Sequence, residues 1–247
     1  MKALLLAAGK ATRLGELSRT TPKCLHKIGD EILLDRLVRQ LREVGVTEFL
    51  INTHHLADQV TSHVESRADR SDFTFVHEPE LMGTLGTLRR NLDFFDSGPG
   101  WVLHADNLIP GHLLSLHEAF DSRSTGLWGS MLTFEVDDPS AYGVVTLDTA
   151  GVITSFVEKK ADASSRTASA ATFLFDENVF RLVSLLSPKF RDISKDLLPH
   201  LIGRIVAVSA TGRVIDIGTP DGLITARGMV EDLDEFPAQR HERTHQI

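Results

Sequence analysis

The chain has 247 residues, 42% of them hydrophobic, which is enough to bury the core of one large α/β domain. Its formal net charge of −8 argues against a general nucleic-acid-binding surface, which needs a basic face to displace phosphate counterions, and no apolar run reaches the roughly 20 residues that cross a bilayer. The single cysteine, Cys24, excludes an intrachain disulfide, and without a secretory signal pattern we expect a cytoplasmic protein with no membrane association.

The first part of the chain predicts alternating strands and helices. The apolar run from Ala3 to Ala8 is typical of a buried parallel strand. Apolar residues at helical spacing predict a helix from Glu31 to Val44, and Gly45 provides its end. The alternation continues with strands at 49–51, 73–76 and 101–104 and helices at 56–65 and 84–94. This order indicates a parallel sheet that is covered by helices on both faces.

The second part is richer in predicted strands. They lie at 127–134, 144–147, 152–157, 171–175, 205–208 and 214–216, with a hairpin turn at 148–151 and helices at 177–186 and 194–198. Thr219 can cap a last helix that begins at Pro220. The sequence therefore predicts a single domain over residues 1–230. The charged residues that follow have no apolar period, which predicts a mobile tail over 231–247.

The loop after the first strand combines small residues with basic ones. Open α/β sheets bind ligands where their strands end, and small side chains let backbone N–H groups approach phosphate oxygens. Lys10, Arg13 and Lys23 supply positive charge in this otherwise acidic protein. The loop therefore indicates a phosphate site, with a solvated basic loop as the alternative.

Two common nucleotide-binding motifs are absent from this loop. The dinucleotide fingerprint G-x-G-x-x-G fails because position 11 is alanine and position 14 is leucine. The second strand also ends without an acid for a ribose hydroxyl. No G-x-x-x-x-G-K-[ST] phosphate loop occurs anywhere in the chain.

The stretch from Leu6 to Lys23 resembles the signature of the sugar-phosphate nucleotidyltransferase (NDP-sugar pyrophosphorylase) family, L-A-A-G-x-G-T-R-L followed by P-K. Similarity continues to about Gly228, through the segments 82–88, 104–107, 142–145, 157–159 and 216–220. The pattern is closest to mannose or manno-heptose 1-phosphate guanylyltransferases. The resemblance implies a Rossmann-like, GT-A-like three-layer sandwich with a mixed, mainly parallel sheet. It also implies a nucleotide-binding part at about 1–110 and a sugar-binding part at about 111–230.

The implied reaction joins a sugar 1-phosphate to a nucleoside triphosphate and releases pyrophosphate, with Mg²⁺ as cofactor. In this family Arg13 would hold the triphosphate, and Lys23 would bridge it and the sugar phosphate. Asp106 and Asp216 would hold the metal, although each could instead be a turn acid. The nucleotide-binding positions implied by the resemblance are Leu6, Ala8, Gly9, Lys10, Ala11, Thr12, Gly83 and Thr84.

The resemblance places the sugar at Gly143, Glu158, Lys159 and Ser169. Glu158 shares a strand face with Thr154 and Phe156, so it could point into a cleft and accept hydrogen bonds from sugar hydroxyls. The alternative is a strand end that faces solvent. Lys159 could pair with the sugar phosphate or be a surface charge.

Two departures from the family pattern leave alternatives open. Ala11 replaces the second glycine of the signature, and its Cβ could crowd the phosphates. Ser169 replaces an asparagine that many relatives carry. The Gly-Thr-Leu-Gly segment at Gly83 favours GTP, with UTP or dTTP as alternatives. A catalytically silent regulatory subunit that senses sugar nucleotides is the competing hypothesis, and the resemblance leaves a homo-oligomer open.

Overall fold

The structure, a computed structural model, describes residues 1–10, 12–111, 113–160 and 165–234. The strands within these residues are β1 Lys2–Leu6, β2 Lys27–Ile28, β3 Glu31–Ile32, β4 Glu48–Thr53, β5 Phe73–His77, β6 Gly100–His104, β7 Asn107–Leu108, β8 Gly129–Glu135, β9 Gly143–Leu147, β10 Ile153–Glu158, β11 Thr167–Phe175, β12 Ile205–Ser209 and β13 Ile215–Asp216. The α-helices are α1 Leu17–Thr20, α2 Leu33–Glu43, α3 Ala57–Glu65, α4 Thr84–Arg90, α5 Leu114–Asp121, α6 Glu177–Leu185 and α7 Pro220–Asp234.

A mixed nine-stranded sheet forms the centre of the molecule. Its main path runs β10-β9-β11-β6-β1-β4-β5, and β8 pairs with β11 and β12 beside that path. The strands β6, β1, β4 and β5 run parallel to one another, whereas β11 is antiparallel to β6, β8 and β9. The predicted mixed, mainly parallel α/β sheet is confirmed.

Helices cover both faces of this sheet, because the side chains of each central strand alternate between two cores. In β1, Ala3 and Leu5 belong to one core, and Leu4 and Leu6 belong to the other. The first core also contains residues of α2, α3, α5 and α7, and the second contains residues of α4 and α6. The result is the three-layer arrangement that the sequence predicts.

The strand β11 is the place where the sheet branches. One edge of β11 pairs with β8, through residues near both ends of β11. The other edge pairs with two strands, with β6 at Thr172–Phe175 and with β9 at Ala168. The pairing register with β8 shifts between Ser169 and Phe173. Ala171, inside this bulge, has a φ of 49°, in the left-handed region that favours glycine.

Most predicted elements lie where the pattern places them, with several differences. Helices α1 and α5, strand β7 and the short hairpin β2–β3 are additional elements, and β3 occupies the first two positions of the predicted helix 31–44. The predicted helix at 194–198 is a short π-helix, Ile193–Leu197. Helix α7 extends to Asp234, four residues beyond the predicted start of the tail. Residues 235–247 lie outside the described part, and the mobile tail stays a prediction. The division into nucleotide and sugar parts stays a prediction.

Two smaller predictions about helix ends and spans can also be compared with the structure. The Thr219 hydroxyl accepts a hydrogen bond from the Gly222 amide at 3.0 Å, so Thr219 caps α7 as predicted. No helix in the described residues has the length and apolar character needed to span a membrane.

The strained position in β11 gives a test of the fold. A non-glycine residue in the left-handed region costs about 1 to 2 kcal/mol, and glycine loses about 0.5 to 1 kcal/mol of backbone entropy. Ala171→Gly should therefore raise the free energy of unfolding by about 0.5 to 1 kcal/mol in urea denaturation. The matched variant Ala168→Gly, in regular strand, should lower it by about 1 kcal/mol. A loss of stability in Ala171→Gly would contradict the bulge.

Candidate active site

The parallel strands of the sheet end at one edge, and their loops form a first cleft there. The walls of this cleft come from the ends of β1, β4, β5 and β6 and from the start of α4, and the cleft encloses about 650 Å³. It contains predicted nucleotide-binding residues from two segments, Leu6–Gly9 and Gly83–Thr84, together with Lys23 and Asp106. The position agrees with the rule that open α/β sheets bind ligands beyond the carboxyl ends of their strands.

Two ion pairs meet at the mouth of this cleft. Lys23 Nζ lies 2.6 Å from Asp106 Oδ2, and Arg13 Nη2 lies 2.9 Å from Asp216 Oδ2. The two pairs are neighbours on either side of Gly218. A Cβ placed on this glycine would lie 2.7 Å from Lys23 Nζ of one pair and 2.6 Å from Asp216 Oδ1 of the other. The four predicted catalytic and metal-binding residues therefore converge, although they span 203 positions of the chain.

A small strand pair brings the two acids together. Strands β7 and β13 are antiparallel, with Asp216 opposite Asn107, and the Ile217 amide donates to the carbonyl of Asp106 at 3.0 Å. Asp216 Oδ1 also accepts a hydrogen bond from the Gly218 amide at 2.7 Å. Asp216 therefore acts as a turn acid, as the sequence allows, and also contacts Arg13.

The electrostatics of Asp106 depend on Lys23. Burial acts to raise the pKa of the Asp106 carboxyl, but the adjacent Lys23 ammonium, followed by His104, holds that pKa below its ordinary value. The carboxylate form is therefore retained in a largely buried position. Cys24, next to Lys23, has its thiol pKa raised to about 12 by burial and by Asp106, so it is protonated and unreactive at neutral pH.

A second cleft adjoins the first and shares His104 and Asp106 with it. It encloses about 1010 Å³ and contains the four predicted sugar-binding residues together with Arg13 and Asp216. Those four residues are Gly143, Glu158, Lys159 and Ser169. The ion pairs therefore lie at the junction of two clefts, each of which contains one predicted set of binding residues.

Glu158 faces this second cleft rather than ending its strand in solvent. It is paired with Gly143 across β9 and β10, and a Cβ on Gly143 would lie 2.6 Å from Glu158 Oε2, so the glycine makes room for the carboxylate. Burial and then Asp192 raise the pKa of Glu158, which Lys159 and Lys195 partly oppose. Lys159 itself has a φ of 48° and is 61% exposed.

Not every predicted nucleotide-binding residue reaches a cleft. The exposed residues Lys10 and Thr12 line neither of them, and Ala11 lies outside the described residues. Thr84 lines the first cleft, but its hydroxyl accepts a hydrogen bond from the Ile193 amide at 2.9 Å. Gly83, not Thr84, is the N-cap of α4.

Gly83 is required by its surroundings. Its φ is 78°, and a Cβ there would lie 2.4 Å from the Arg191 carbonyl oxygen. The Arg191 side chain donates to the carbonyls of Leu81 and Met82. The segment that contains Gly83 is therefore held closely against the segment that begins at Arg191.

The sequence analysis missed two groups of residues that line the clefts. Asn52, Glu78 and Thr87 line the first cleft, and Asp192, Ser194 and Lys195 line the second. Glu78 had a recognisable signal, because it comes two positions after the predicted strand 73–76, as Asp106 comes two positions after the predicted strand 101–104. The second group had none, since Asp192 caps a short π-helix that contains Ser194 and Lys195 and follows no strand directly.

The residues at the junction fit a magnesium ion. Asp106 and Asp216 offer two hard carboxylate donors, and Mg²⁺ usually combines one or two carboxylates with phosphate oxygens and water. The described residues contain no group of three or more His, Cys, Asp or Glu side chains arranged to hold a metal. A magnesium ion held by these two acids would therefore need further oxygen donors, such as phosphate oxygens or water.

Solved structures share this architecture. A UDP-glucose pyrophosphorylase in complex with UDP-glucose has a TM-score of 0.80 at 22% identity, covering 94% of this chain and 98% of the other. HddC from Yersinia pseudotuberculosis has a TM-score of 0.75 at 23% identity, covering 93% and 99%. The chain therefore shares the fold class of these two proteins.

The sequence identifies the family within this class. The model of the nucleotidyl transferase family matches residues 2–232, nearly the whole chain, and the chain belongs to that family. The catalytic subunit beta of mannose-1-phosphate guanylyltransferase from Drosophila pseudoobscura pseudoobscura is 28% identical over 233 residues, which cover 91% of this chain. The matched part is 61% of that relative, so the chain spans about three fifths of its length.

The charge arrangement predicts how Asp106 titrates. In Lys23→Met the main attraction is lost and burial remains, so the pKa of Asp106 should rise, which carboxyl ¹³C NMR can follow. In the parent, this depressed pKa stabilises the fold above the pKa of the unfolded chain, and that contribution is lost as the pH falls through the folded-state value. Lys10→Met, at an exposed position outside the cleft, should leave Asp106 unchanged. An unchanged pKa in Lys23→Met would contradict the pairing.

Proposed function

We propose that this protein is a sugar 1-phosphate nucleotidyltransferase, which converts a nucleoside triphosphate and a sugar 1-phosphate into a nucleoside diphosphate sugar and pyrophosphate. The convergence of Arg13, Lys23, Asp106 and Asp216 at the junction of two clefts is the observation that carries this proposal. Membership of the nucleotidyl transferase family supports it. We also infer a cytoplasmic location, where nucleoside triphosphates are available and a lone cysteine stays reduced.

In the proposed reaction, an oxygen of the sugar phosphate forms a bond to the α-phosphorus. The bond from the α-phosphorus to the bridging oxygen of the β-phosphate breaks, and pyrophosphate leaves on the opposite side. The attacking phosphate oxygen is already ionised at neutral pH, so no general base is needed. The main obstacle is repulsion between two anions, and catalysis then consists mainly of positioning and charge stabilisation.

The basic residues at the junction would meet that requirement. Lys23 extends into the first cleft beside Asp106, where it can contact the triphosphate and the incoming sugar phosphate. Arg13 lines the second cleft, and its side chain is 63% exposed, so it can turn from Asp216 to a phosphate. Binding of phosphate would replace a carboxylate partner with another anion and would keep each base paired.

The acids would then be free to hold the cofactor. Asp106 and Asp216 are the residues that we propose as Mg²⁺ ligands, and the ion would neutralise charge on the phosphates. The two ion pairs therefore keep the acids compensated before any ligand binds. An uncompensated pair of neighbouring carboxylates would repel each other.

We infer that the base is guanine and the sugar is mannose or a manno-heptose. The Gly-Thr-Leu-Gly form of the segment at Gly83 supports the base, and so do curated relatives that are mannose-1-phosphate guanylyltransferases. UTP and dTTP are the alternatives within the same family. Glu158 and Ser169 are the side chains that would accept or donate to sugar hydroxyls in the second cleft.

A pyrophosphate-release assay tests the function directly. The protein is incubated with Mg²⁺, each common nucleoside triphosphate and a panel of sugar 1-phosphates, and we expect release with GTP and mannose or manno-heptose 1-phosphate. Lys23→Ala should remain folded and lose most of this release, because the transferred phosphate loses its nearest cation. Absence of release from every combination would favour a silent sugar-nucleotide sensor, for which Ala11 is the supporting observation.

The metal assignment predicts a change in magnesium response. Asp106→Asn replaces a charged oxygen ligand with a neutral amide, so the Mg²⁺ concentration for half-maximal rate should increase greatly or the response should disappear. Asp30→Asn, whose parent carboxylate is fully exposed, is the matched control and should respond like the parent. A normal magnesium response in Asp106→Asn would remove Asp106 from the metal site.

A further inference from the structure

Three buried polar side chains lie beneath the first cleft and have no role in the chemistry described above. Asn52, Glu78 and Thr87 are 3%, 1% and 1% exposed. They come from β4, from the residue after β5, and from α4. A buried carboxylate is costly unless donors satisfy its oxygens, so this group must be fully hydrogen-bonded.

The hydrogen bonds of this group form one connected network. Glu78 Oε1 accepts from Asn52 Nδ2 at 2.8 Å and from the Thr87 hydroxyl at 2.5 Å. Glu78 Oε2 accepts from the Met82 amide at 2.9 Å, and Asn52 Oδ1 accepts from the Ala7 amide at 2.7 Å. The carboxylate is therefore held by three neutral donors.

The two backbone amides in this network belong to two different segments at the cleft, and these segments are called its two walls below. Ala7 lies between the predicted nucleotide-binding residues Leu6 and Ala8, and Met82 precedes Gly83. The path from the Ala7 amide through Asn52 and Glu78 to the Met82 amide thus links the two walls. The relative position of the two walls is therefore coupled to the side chains of Asn52 and Glu78.

We propose that Asn52, Glu78 and Thr87 are positioning residues that fix the width of the nucleotide cleft and so control affinity for the nucleoside triphosphate. This inference depends on the nucleotide site of the proposed function. Asn52 and Glu78 act through the backbone of the two walls, and Thr87 orients Glu78. Affinity for the sugar 1-phosphate, whose cleft lies beyond Asp106, is independent of the network.

The donor and acceptor pattern predicts the effect of Glu78→Gln. The side-chain amide of Gln at position 78 has two orientations. In the first, its oxygen accepts from the Met82 backbone amide, and its NH₂ then faces the NH₂ of Asn52. In the second, its NH₂ faces the Met82 backbone N–H. Reversing Asn52 as well would set its NH₂ against the Ala7 amide. Every arrangement opposes two donors, so one wall must move. The single variant Asn52→Asp disrupts the network in another way, because it places a second buried carboxylate against that of Glu78 and the two repel.

Exchanging the two groups should restore the network. In the double variant Asn52→Asp/Glu78→Gln, the new carboxylate accepts from Ala7 and from the amide of residue 78. The oxygen of that amide accepts from Met82, and the Thr87 hydroxyl can donate to the new carboxylate. Each donor again has an acceptor, with the same side-chain volumes in the cleft.

The test is a binding measurement by isothermal titration calorimetry with Mg²⁺ and GTP as the probe, or UTP if the parent protein prefers it. Glu78→Gln and Asn52→Asp should each weaken binding about tenfold or more, and Thr87→Val about fivefold. The double variant should return to within about threefold of the parent. At saturating nucleotide, the KM for mannose 1-phosphate in Glu78→Gln should stay within about twofold of the parent.

Ser130→Ala is the matched control. It also deletes a buried hydroxyl contact, to the Leu116 carbonyl at 3.0 Å, but Ser130 lines neither cleft, and GTP binding should not change. Circular dichroism must show each variant folded, and Thr87→Val serves if a charge variant does not fold. Parent-like GTP binding in folded Glu78→Gln, or a double variant no tighter than the single ones, would overturn the positioning role.

The two proposals fail in different ways. A parent protein that binds GTP without releasing pyrophosphate contradicts the proposed reaction alone, because the binding comparison needs no turnover. Equal losses for GTP and for mannose 1-phosphate in Glu78→Gln would contradict the positioning role alone. A parent that binds no nucleoside triphosphate would overturn both.

Discussion

Two ion pairs at the carboxyl edge of the sheet, Lys23–Asp106 and Arg13–Asp216, are the interaction on which the rest of the site depends. They join a loop near the amino terminus to Asp106, the residue before β7, and to Asp216 in β13, the strand paired with β7. Because Lys23 and its partner are largely buried, an unpaired charge there would be costly, and the pairing fixes the loop relative to the sheet. The two clefts meet at this point.

The same pairs explain how an acidic protein can bind anionic ligands. The chain has a net charge of −8, yet each acid at the junction has a basic partner, so the local charge is balanced. A triphosphate that arrives with a divalent cation can exchange partners with the site. Phosphate then replaces the carboxylate as the partner of each basic residue, and the cation replaces the basic residue as the partner of each acid. Such an exchange keeps every charge compensated, which matters most where water is excluded.

The sequence predicted the parts of this protein that follow strong local rules. The apolar run of β1, the helical spacing of α2 and the capped start of α7 each have a local signal that tertiary structure did not override. The family resemblance singled out Arg13, Lys23 and Asp106, and the structure brings these residues together, while their roles stay a prediction. Helix α5 lacked a strong period, and the charged residues 231–234 hid the helical end of α7.

The parts that escaped prediction depend on contacts between distant segments. The network of Asn52, Glu78 and Thr87 assembles only when β4, β5 and α4 are packed together, so no spacing in the chain indicates it. The need for glycine at Gly83 likewise arises from the Arg191 carbonyl more than a hundred positions away. The bulge at Ala171 has no glycine to mark it.

The central claim is that the two distant acids hold one cation beside one triphosphate. Paramagnetic broadening in NMR, with Mn²⁺ in place of Mg²⁺ and GTP bound, tests it most directly. The account predicts that the amide signals of Asp106 and Asp216 broaden together, while that of Asp121, at the end of α5, stays sharp. Sharp signals at both acids, or broadening in Asp106→Asn or in Asp216→Asn that matches the parent protein, would contradict the shared site.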